Sequence, residues 1–569
     1  FFCAKRSIRL LRSYAMFRSF WHKFPSVYCA AQRRSFIATN EPVQTYAFKS
    51  PEREKLDSAL LAMKSKAPLT VPICIGSDEL NSQEVLAHPF PFDNKQTFVK
   101  SYMADEKQVK KAVETCLKAR ESWFRQPFKQ RADVFLKAAD LIAGKYRYEI
   151  LAATMLGQGK TIFQAEIDAA AELADFLRFN VQFTEAALDY KPLSTEDCHN
   201  QVIYRPTEGF WAALPPFNFT AIAGNLATAP ALMGNAVIWK PSPSAVYSNY
   251  IIFKILLEAG LPPGVINFVP ADGPKFGSVI TREPTLAGIN YTGSTQVFKI
   301  LLKAIAQNMD LYNTYPRIVG ECGGKNYHFV HPSANTADVA LATLRSAFEY
   351  TGQKCSACSR LYVPASLWPK IRDMLVELMS KVKVGSPLEK DTFTSAVIDS
   401  NAFKKISGYI EYAKGCNDLQ LIAGGGCDDS VGYYIQPTLY KTNDPRNKLM
   451  LDDIFGPVLT AFVYDDNKLD ATMDLVDNTS VYGLTGSVFA QDEEFIAKFA
   501  DRMIDTVGNL YINTQSTGSV VGNQPFGGAR LSGTNDKAGG PHYILRFASP
   551  IAIKIQRGPL SSWKQIHMR

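Results

Sequence analysis

Between residues 104 and 190 apolar side chains recur every three or four positions. QVKKAVETCLKARESW and KQRADVFLKAADLIAGKY are the clearest runs, and that period predicts several amphipathic helices. From about residue 202 the pattern changes to short apolar strings, FWAAL, AVIWK, VINFV and GINYT, alternating with helical segments such as NYIIFKILLEAG and QVFKILLKAIAQ. This alternation predicts βαβ units on a parallel sheet. A second series follows, in which strand-like NYHFV, SRLYV, YIQPTLY and TAFVY are interleaved with helical VALATLRSAFEY and WPKIRDMLVELMSKV. The expected class is α/β, and 569 residues suit two or three domains rather than one core. FNFTAIAGNLATAPALMGNAVIW, residues 217 to 239, carries no charge and is long enough to span a bilayer. Its Asn residues and its Gly and Pro breaks favour a buried strand, loop and helix, with no membrane insertion.

Charge changes the picture only at the N-terminus. The formal charge is +8, but residues 1 to 40 hold eight Lys or Arg and no acid. Setting those eight aside leaves 54 basic residues against 54 acidic ones, so the body has no basic bias and no nucleic-acid partner is expected. An Arg-rich, acid-free start of this kind has the composition of a mitochondrial targeting peptide, cleaved between about residues 25 and 40. The expected location is the mitochondrial matrix. Ten cysteines in no regular framework argue for a reducing compartment.

Candidate chemistry centres on EYTGQKCSACSR, where Cys355 and Cys358 stand three positions apart. A redox pair belongs at the start of a helix, where the macrodipole acidifies a thiol, whereas this pair follows a helical run and precedes a strand. A zinc site needs four ligands, and His328 and His331 lie at an odd offset that sends their rings to opposite faces of a strand. No metal is expected. The spacing alone leaves a nucleophile and a packed thiol both open. Other stretches bear on the choice. Glu321 precedes a Gly-Gly pair in ECGGKN and is a candidate base for activating water. Asn218 follows a strand and offers an amide donor to an oxyanion. Lys240 stands at a strand's carboxyl end, where open α/β sheets bind ligands. Gly293 and Ser294 open a helix suited to a pyrophosphate, although no GxGxxG is present.

Together LPPFNFT, VIWKPS, NYTGSTQVF, ECGGKN, GQKC, DDIFGPV and QPFGGARLSG resemble, in order and approximate spacing, the aldehyde dehydrogenase superfamily. RSAFEYTGQKCSACSRLYVP and INTQSTGSVVGNQPFGGARLSGTNDKAGGPHYILRF resemble its branch that oxidises L-glutamate γ-semialdehyde, the open form of 1-pyrroline-5-carboxylate, in the second step of proline degradation. The resemblance implies Cys355 as nucleophile, with Cys358 a bystander, Asn218 in the oxyanion hole and Glu321 as the base that releases L-glutamate from a thioester. It implies NAD held by Lys240, Ser242, Gly293, Ser294, Asp453 and Phe455. It also implies an anchor loop in which Gly518, Ser519 and Ser356 hold the substrate's α-carboxylate while Phe219 and Phe526 sandwich its chain. Two positions depart from the superfamily pattern. Asp453 replaces a Glu, and Pro243 replaces a Glu that would repel a 2′-phosphate, which weakens any exclusion of NADP. The implied architecture has a targeting peptide over 1–40, a Rossmann-like NAD-binding domain over 41–191 and 211–320, and a catalytic domain over 321–530. An oligomerisation flap over 192–210 would act with a C-terminal segment over 531–569, whose strand FASPIAIKIQ is expected to pair across a homodimer.

Overall fold

Helix starts follow capping chemistry written into the chain. Asp105 accepts a hydrogen bond from Gln108 N at 2.8 Å while the Gln108 side chain accepts from Asp105 N at 3.1 Å, a reciprocal cap on the helix Glu106–Trp123. That helix buries Val109, Ala112, Val113, Cys116 and Trp123, one stripe at helical spacing. The computed structural model describes residues 36–557 and 562–568, so nearly all of the segment read as a targeting peptide lies outside the described residues. Residues 38–569 form one compact unit around two large sheets.

The first sheet runs in the order Arg317–Glu321, Leu286–Thr292, Phe210–Leu214, Ala236–Trp239, Ile266–Phe268, Ile73–Ile75, Asp78–Leu80. Its first five strands are parallel and its last two antiparallel. The chain moves outward from Phe210–Leu214 through two crossover helices, Thr220–Leu232 and Val246–Ala259, then returns to place Leu286–Thr292 on the other side of the starting strand. This reversal creates a crevice at the carboxyl ends of the two strands, the place where open α/β sheets bind ligands. The second sheet has the order Leu419–Ala423, Thr438–Thr442, Val458–Tyr464, Cys358–Pro364, Asn326–Val330, Thr485–Phe489, Asn509–Ile512. All of its neighbours pair in parallel except the Leu419–Ala423 edge.

Three features add to the sequence reading or differ from it. Residues 217 to 239 run as helix then strand: Thr220–Leu232 is buried around nearly its whole circumference and the strand is Ala236–Trp239. A helix apolar on every side is a core helix, and among the described residues no helix is long and apolar enough to cross a membrane. The C-terminal strand Ala548–Gln556 pairs antiparallel with Cys198–Pro206 of the same chain over its full length, which joins the two segments expected to form the flap. Finally, Leu69–Val71, Asp93–Tyr102 and Val85–Phe90 form a three-stranded sheet that the apolar pattern does not announce, since Val85, Leu86 and Ala87 remain exposed.

Candidate active site

Two cavities meet at one thiol. The larger, about 830 Å³, opens at the crevice of the first sheet; the smaller, about 300 Å³, lies beneath the loop 515–526. Cys355 lines both, as do Ile222, Tyr291 and Thr292. The turn that carries Cys355 is held from several sides. Tyr350 and Thr351 take left-handed backbone conformations, φ +52° each, which β-carbons disfavour. Tyr350 Oη donates to Gln158 O at 2.9 Å, Thr351 N donates to Thr394 Oγ1 at 2.7 Å, and Gln353 Oε1 accepts from Ile398 N at 2.9 Å. Beyond the turn, Asn326 Nδ2 donates to the carbonyls of Cys355 and Ala357 at 2.7 and 2.9 Å. The Cys355 and Ser356 N–H groups point at the thiol and favour its anion. Burial, with the nearby Glu321 and Asp453 carboxyl groups, outweighs them and pushes the thiol up to about 12, so it rests protonated.

Asn218 lies on the connection from Phe210–Leu214 to the buried helix, 3% exposed. Its Nδ2 donates one N–H to Gln353 O at 3.0 Å and carries a second donor, and the residue lines the larger cavity. The start of that helix is built by an acid the sequence reading did not select. Asp168, buried in a π-helical turn over Glu166–Glu172, accepts from Thr220 N at 2.9 Å and Ala221 N at 2.8 Å, capping two of the helix's free donors. The same carboxylate pairs with Lys160 at 2.8 Å, 0% exposed, and the Lys160 ammonium stands 4.1 Å from the centre of the Phe219 ring. An ion pair eight residues apart within helical sequence resembles a solvated face, so spacing offers no signal for it.

Glu321 ends a strand of the first sheet and lines the smaller cavity. Gly528 N donates to its Oε2 at 2.9 Å. Burial raises its proton affinity well above the ordinary carboxylate range, and this hydrogen bond offsets only part of the effect. The Gly-Gly pair after it is required by close approach. A β-carbon on Gly323 would overlap the Asp453 carboxylate, and one on Gly324 would come within 2.5 Å of Cys355 O.

Lys240, Ser242, Gly293, Ser294, Asp453 and Phe455 all lie on the wall of the larger cavity. Lys240 is desolvated, which lowers its ammonium to about 8 despite Asp272, and its Nζ donates to Pro241 O at 3.1 Å. Ser294 caps the helix Thr295–Gln307 by accepting from Val297 N at 3.3 Å, so that helix's N-terminus faces the cavity. A β-carbon on Gly293 would lie 2.5 Å from Tyr291 Oη; the glycine keeps the approach to the helix open. Phe455 has φ +57° and packs edge-on to Phe217 at 5.9 Å between ring centres. A helix N-terminus, a glycine cradle and a buried lysine in a cavity of this size fit a dinucleotide.

Ser356, Gly518, Ser519, Phe219 and Phe526 line the smaller cavity. Gly518 has φ +86° and Ser519 Oγ donates to Gln524 O at 2.5 Å, which curls the loop over this cavity. Glu172 and Lys354, not selected from sequence, share this wall. Burial and the Asp168 charge push Glu172 up to about 8, while Lys354 is bound to Glu349 at 3.0 Å. Cys358 opens the strand Cys358–Pro364 and packs in the core with Val330 and Leu361. His328 is buried against Thr343 at 2.9 Å.

Residues 80–552 match the family model described as the aldehyde dehydrogenase family. The chain is 52% identical over 536 residues to the mitochondrial delta-1-pyrroline-5-carboxylate dehydrogenase of Mus musculus, covering 94% of this chain and 95% of that protein. It is 49% identical over 560 residues to the corresponding protein of Danio rerio, with 98% and 100% covered. Among solved structures it is similar to the NAD-bound delta-pyrroline-5-carboxylate dehydrogenase of Mycobacterium tuberculosis, TM-score 0.90 at 42% identity, covering 94% and 98% of the two chains. It is also similar to an NAD-bound 1-pyrroline-5-carboxylate dehydrogenase from Thermus, TM-score 0.85 at 30% identity, with 91% and 99% covered.

Proposed function

The chain belongs to the aldehyde dehydrogenase family, and from that premise we propose that it oxidises L-glutamate γ-semialdehyde to L-glutamate with NAD, the second step of proline degradation. The observation that carries the reading is the position of Cys355 on the walls of both cavities. A nucleophile there can hold an acyl carbon against a cofactor on one side and a substrate tail on the other.

Each residue has a chemical task. The Cys355 thiol gives up its proton to water and the sulfur attacks the aldehyde carbon, forming a C–S bond and an oxyanion. The second N–H of Asn218 and the Cys355 backbone N–H stabilise that oxygen. NAD, when bound, would supply the acceptor for the hydride that this carbon must lose to become a thioester on Cys355. Glu321 then takes a proton from water as the water oxygen attacks the thioester carbonyl; the C–S bond breaks and the sulfur leaves. A carboxylate whose proton affinity is raised by burial suits that task near neutral pH. Lys240, Ser242, Gly293 and Ser294 would hold the adenosine and pyrophosphate, with Asp453 and Phe455 toward the nicotinamide. Ser356, Gly518 and Ser519 would receive the α-carboxylate, and Phe219 and Phe526 the aliphatic chain.

By the same reading, residues 41–191 and 211–320 serve NAD, 321–530 the chemistry, and the ribbon of Cys198–Pro206 with Ala548–Gln556 mediates a homodimer. Exposure of Ile203, Ile551 and Ile555 on that ribbon favours the last assignment. Residues 1–40 serve as a targeting peptide to the mitochondrial matrix, in line with relatives named as mitochondrial. The test is NADH formation at 340 nm from purified protein, with 1-pyrroline-5-carboxylate compared with butanal. A strong preference for the former is expected. Equal rates would remove the proline-pathway assignment while leaving an aldehyde dehydrogenase.

A further inference from the structure

A segment of strained backbone closes over Glu321. Asn535 and Lys537 have φ of +55° and +58°, left-handed conformations that disfavour a β-carbon and persist where surrounding contacts impose them. Between them and the strand, Thr534 N donates to Gly320 O at 2.8 Å and Gly320 N donates to Thr534 Oγ1 at 2.9 Å, fixing the segment to the residue before Glu321. The Lys537 ammonium then reaches across and donates to Gly508 O at 2.6 Å, Gly527 O at 3.2 Å and Asn509 Oδ1 at 3.3 Å. Gly527 O and Gly528 N belong to one peptide group, and that N–H is the donor that holds Glu321 Oε2 at 2.9 Å. A cation on the carbonyl end of a peptide strengthens the N–H at its other end. A β-carbon on Gly527 would sit 3.1 Å from Glu321 Oε1 and 3.2 Å from Lys537 N, so both residues press on the same glycine.

We propose that residues 533–537 form a charged clasp that positions Glu321 for thioester hydrolysis, with Lys537 acting through the Gly527–Gly528 peptide and Asp536 opposing it. The proposal rests on the reading of Glu321 as the base. Lys537 is a positioning residue: it does not line either cavity, and its charge reaches Glu321 through the peptide and through space. Asp536 accepts from Thr534 Oγ1 at 2.5 Å and faces Arg546 at 3.0 Å, which holds its negative charge on the cavity wall. The titratable groups facing Glu321 are Asp536, Lys537, Cys355, Cys322 and Tyr543. Lys537 alone among them is cationic, so its removal makes Glu321 harder to ionise, and removal of the Asp536 charge makes it easier.

The experiment follows steady-state kcat against pH, and the NADH burst of the first turnover, in full-length Lys537→Gln, Lys537→Arg, Asp536→Asn and Glu321→Gln. Lys537→Gln is expected to move the acid limb of kcat up by about one pH unit and lower kcat about tenfold at neutral pH. It should also produce an NADH burst of one equivalent per site, because thioester formation then outruns hydrolysis, with KM for NAD changed less than twofold. Lys537→Arg restores most of the limb, and Asp536→Asn moves it down. An unmoved limb in Lys537→Gln, or a fall in activity with KM rising and no burst, overturns the proposal. Should Lys537→Gln fail to fold, the near-isosteric Asp536→Asn decides: a limb that stays or moves up overturns it. Glu321→Gln separates the two levels. Undiminished turnover there would remove the base assignment itself, whereas loss of turnover with a retained burst, beside an unmoved limb in Lys537→Gln, would remove only the clasp.

Discussion

Asp168→Asn isolates the buried charge that underlies the oxyanion residue. The substitution keeps the shape of the side chain and one acceptor for the Thr220 and Ala221 N–H groups, but removes the ion-pair partner of Lys160, 0% exposed, and leaves Glu172 as the carboxyl group that still acts on it. An uncompensated buried ion destabilises by about 3–5 kcal/mol. The lysine can instead shed its proton, and that escape sets a ceiling. Released from an ordinary value of roughly 10.4 at pH 7.5, the proton costs about 4 kcal/mol at ~1.4 kcal/mol per pH unit. Burial already lowers Lys160 while Asp168 supports its charge, so loss of the Asp168 charge lowers it further. The unfolded state then binds one proton more than the folded state between the lowered value and ~10.4, and relative stability rises with pH across that window. The defect should therefore shrink from about 4 kcal/mol at pH 7.5 to about 1.3 kcal/mol at pH 9.5. The assay is urea denaturation of wild type and variant at both pH values, with Lys160→Met/Asp168→Asn as the partner that removes the stranded charge and recovers much of the loss. A defect below 1 kcal/mol at pH 7.5, or one independent of pH, would refute the reasoning.

Other outcomes follow from the same geometry. Asn218→Ala should lower kcat by about 10²–10³, some 3–4 kcal/mol of barrier, with KM for NAD little changed in initial-rate assays. Cys355→Ser should abolish NADH formation, whereas Cys358→Ser, changed in the core beside Val330 and Leu361, should keep kcat within about twofold and lower the melting temperature through a buried hydroxyl. Gly518→Ala places a β-carbon at φ +86° and 3.0 Å from Gln515 Nε2. It should raise KM for 1-pyrroline-5-carboxylate about tenfold by distorting the carboxylate-binding loop, with the Kd for NADH by fluorescence unchanged.

Strands such as Ala236–Trp239 and Asn326–Val330 are legible because sheets covered on both faces use continuous apolar runs. Val85–Phe90 is not, because its outer half faces solvent and its partner is a long polar strand. The residues lining the two cavities could be named through motif order, while the distances between positions 218, 321 and 355 come only from the crossing of two sheets. Lys160, Asp168 and Lys537 escape a sequence reading altogether. Each is an ordinary charge in an ordinary pattern until the fold removes water from the first two and brings the third to the carbonyl of Gly527. Nor does IAIKIQ reveal whether its partner strand is local, since a β-edge accepts any unsatisfied backbone.

Acyl trapping on Glu321→Gln tests most directly whether chemistry occurs where the cavities meet. The variant would be mixed with NAD and 1-pyrroline-5-carboxylate, quenched in acid, and mapped by peptide mass spectrometry. An acyl group of the substrate on the peptide carrying Cys355, formed together with one equivalent of NADH, is the predicted result. NADH formation with no adduct on that peptide, or an adduct on Cys358 instead, would contradict it.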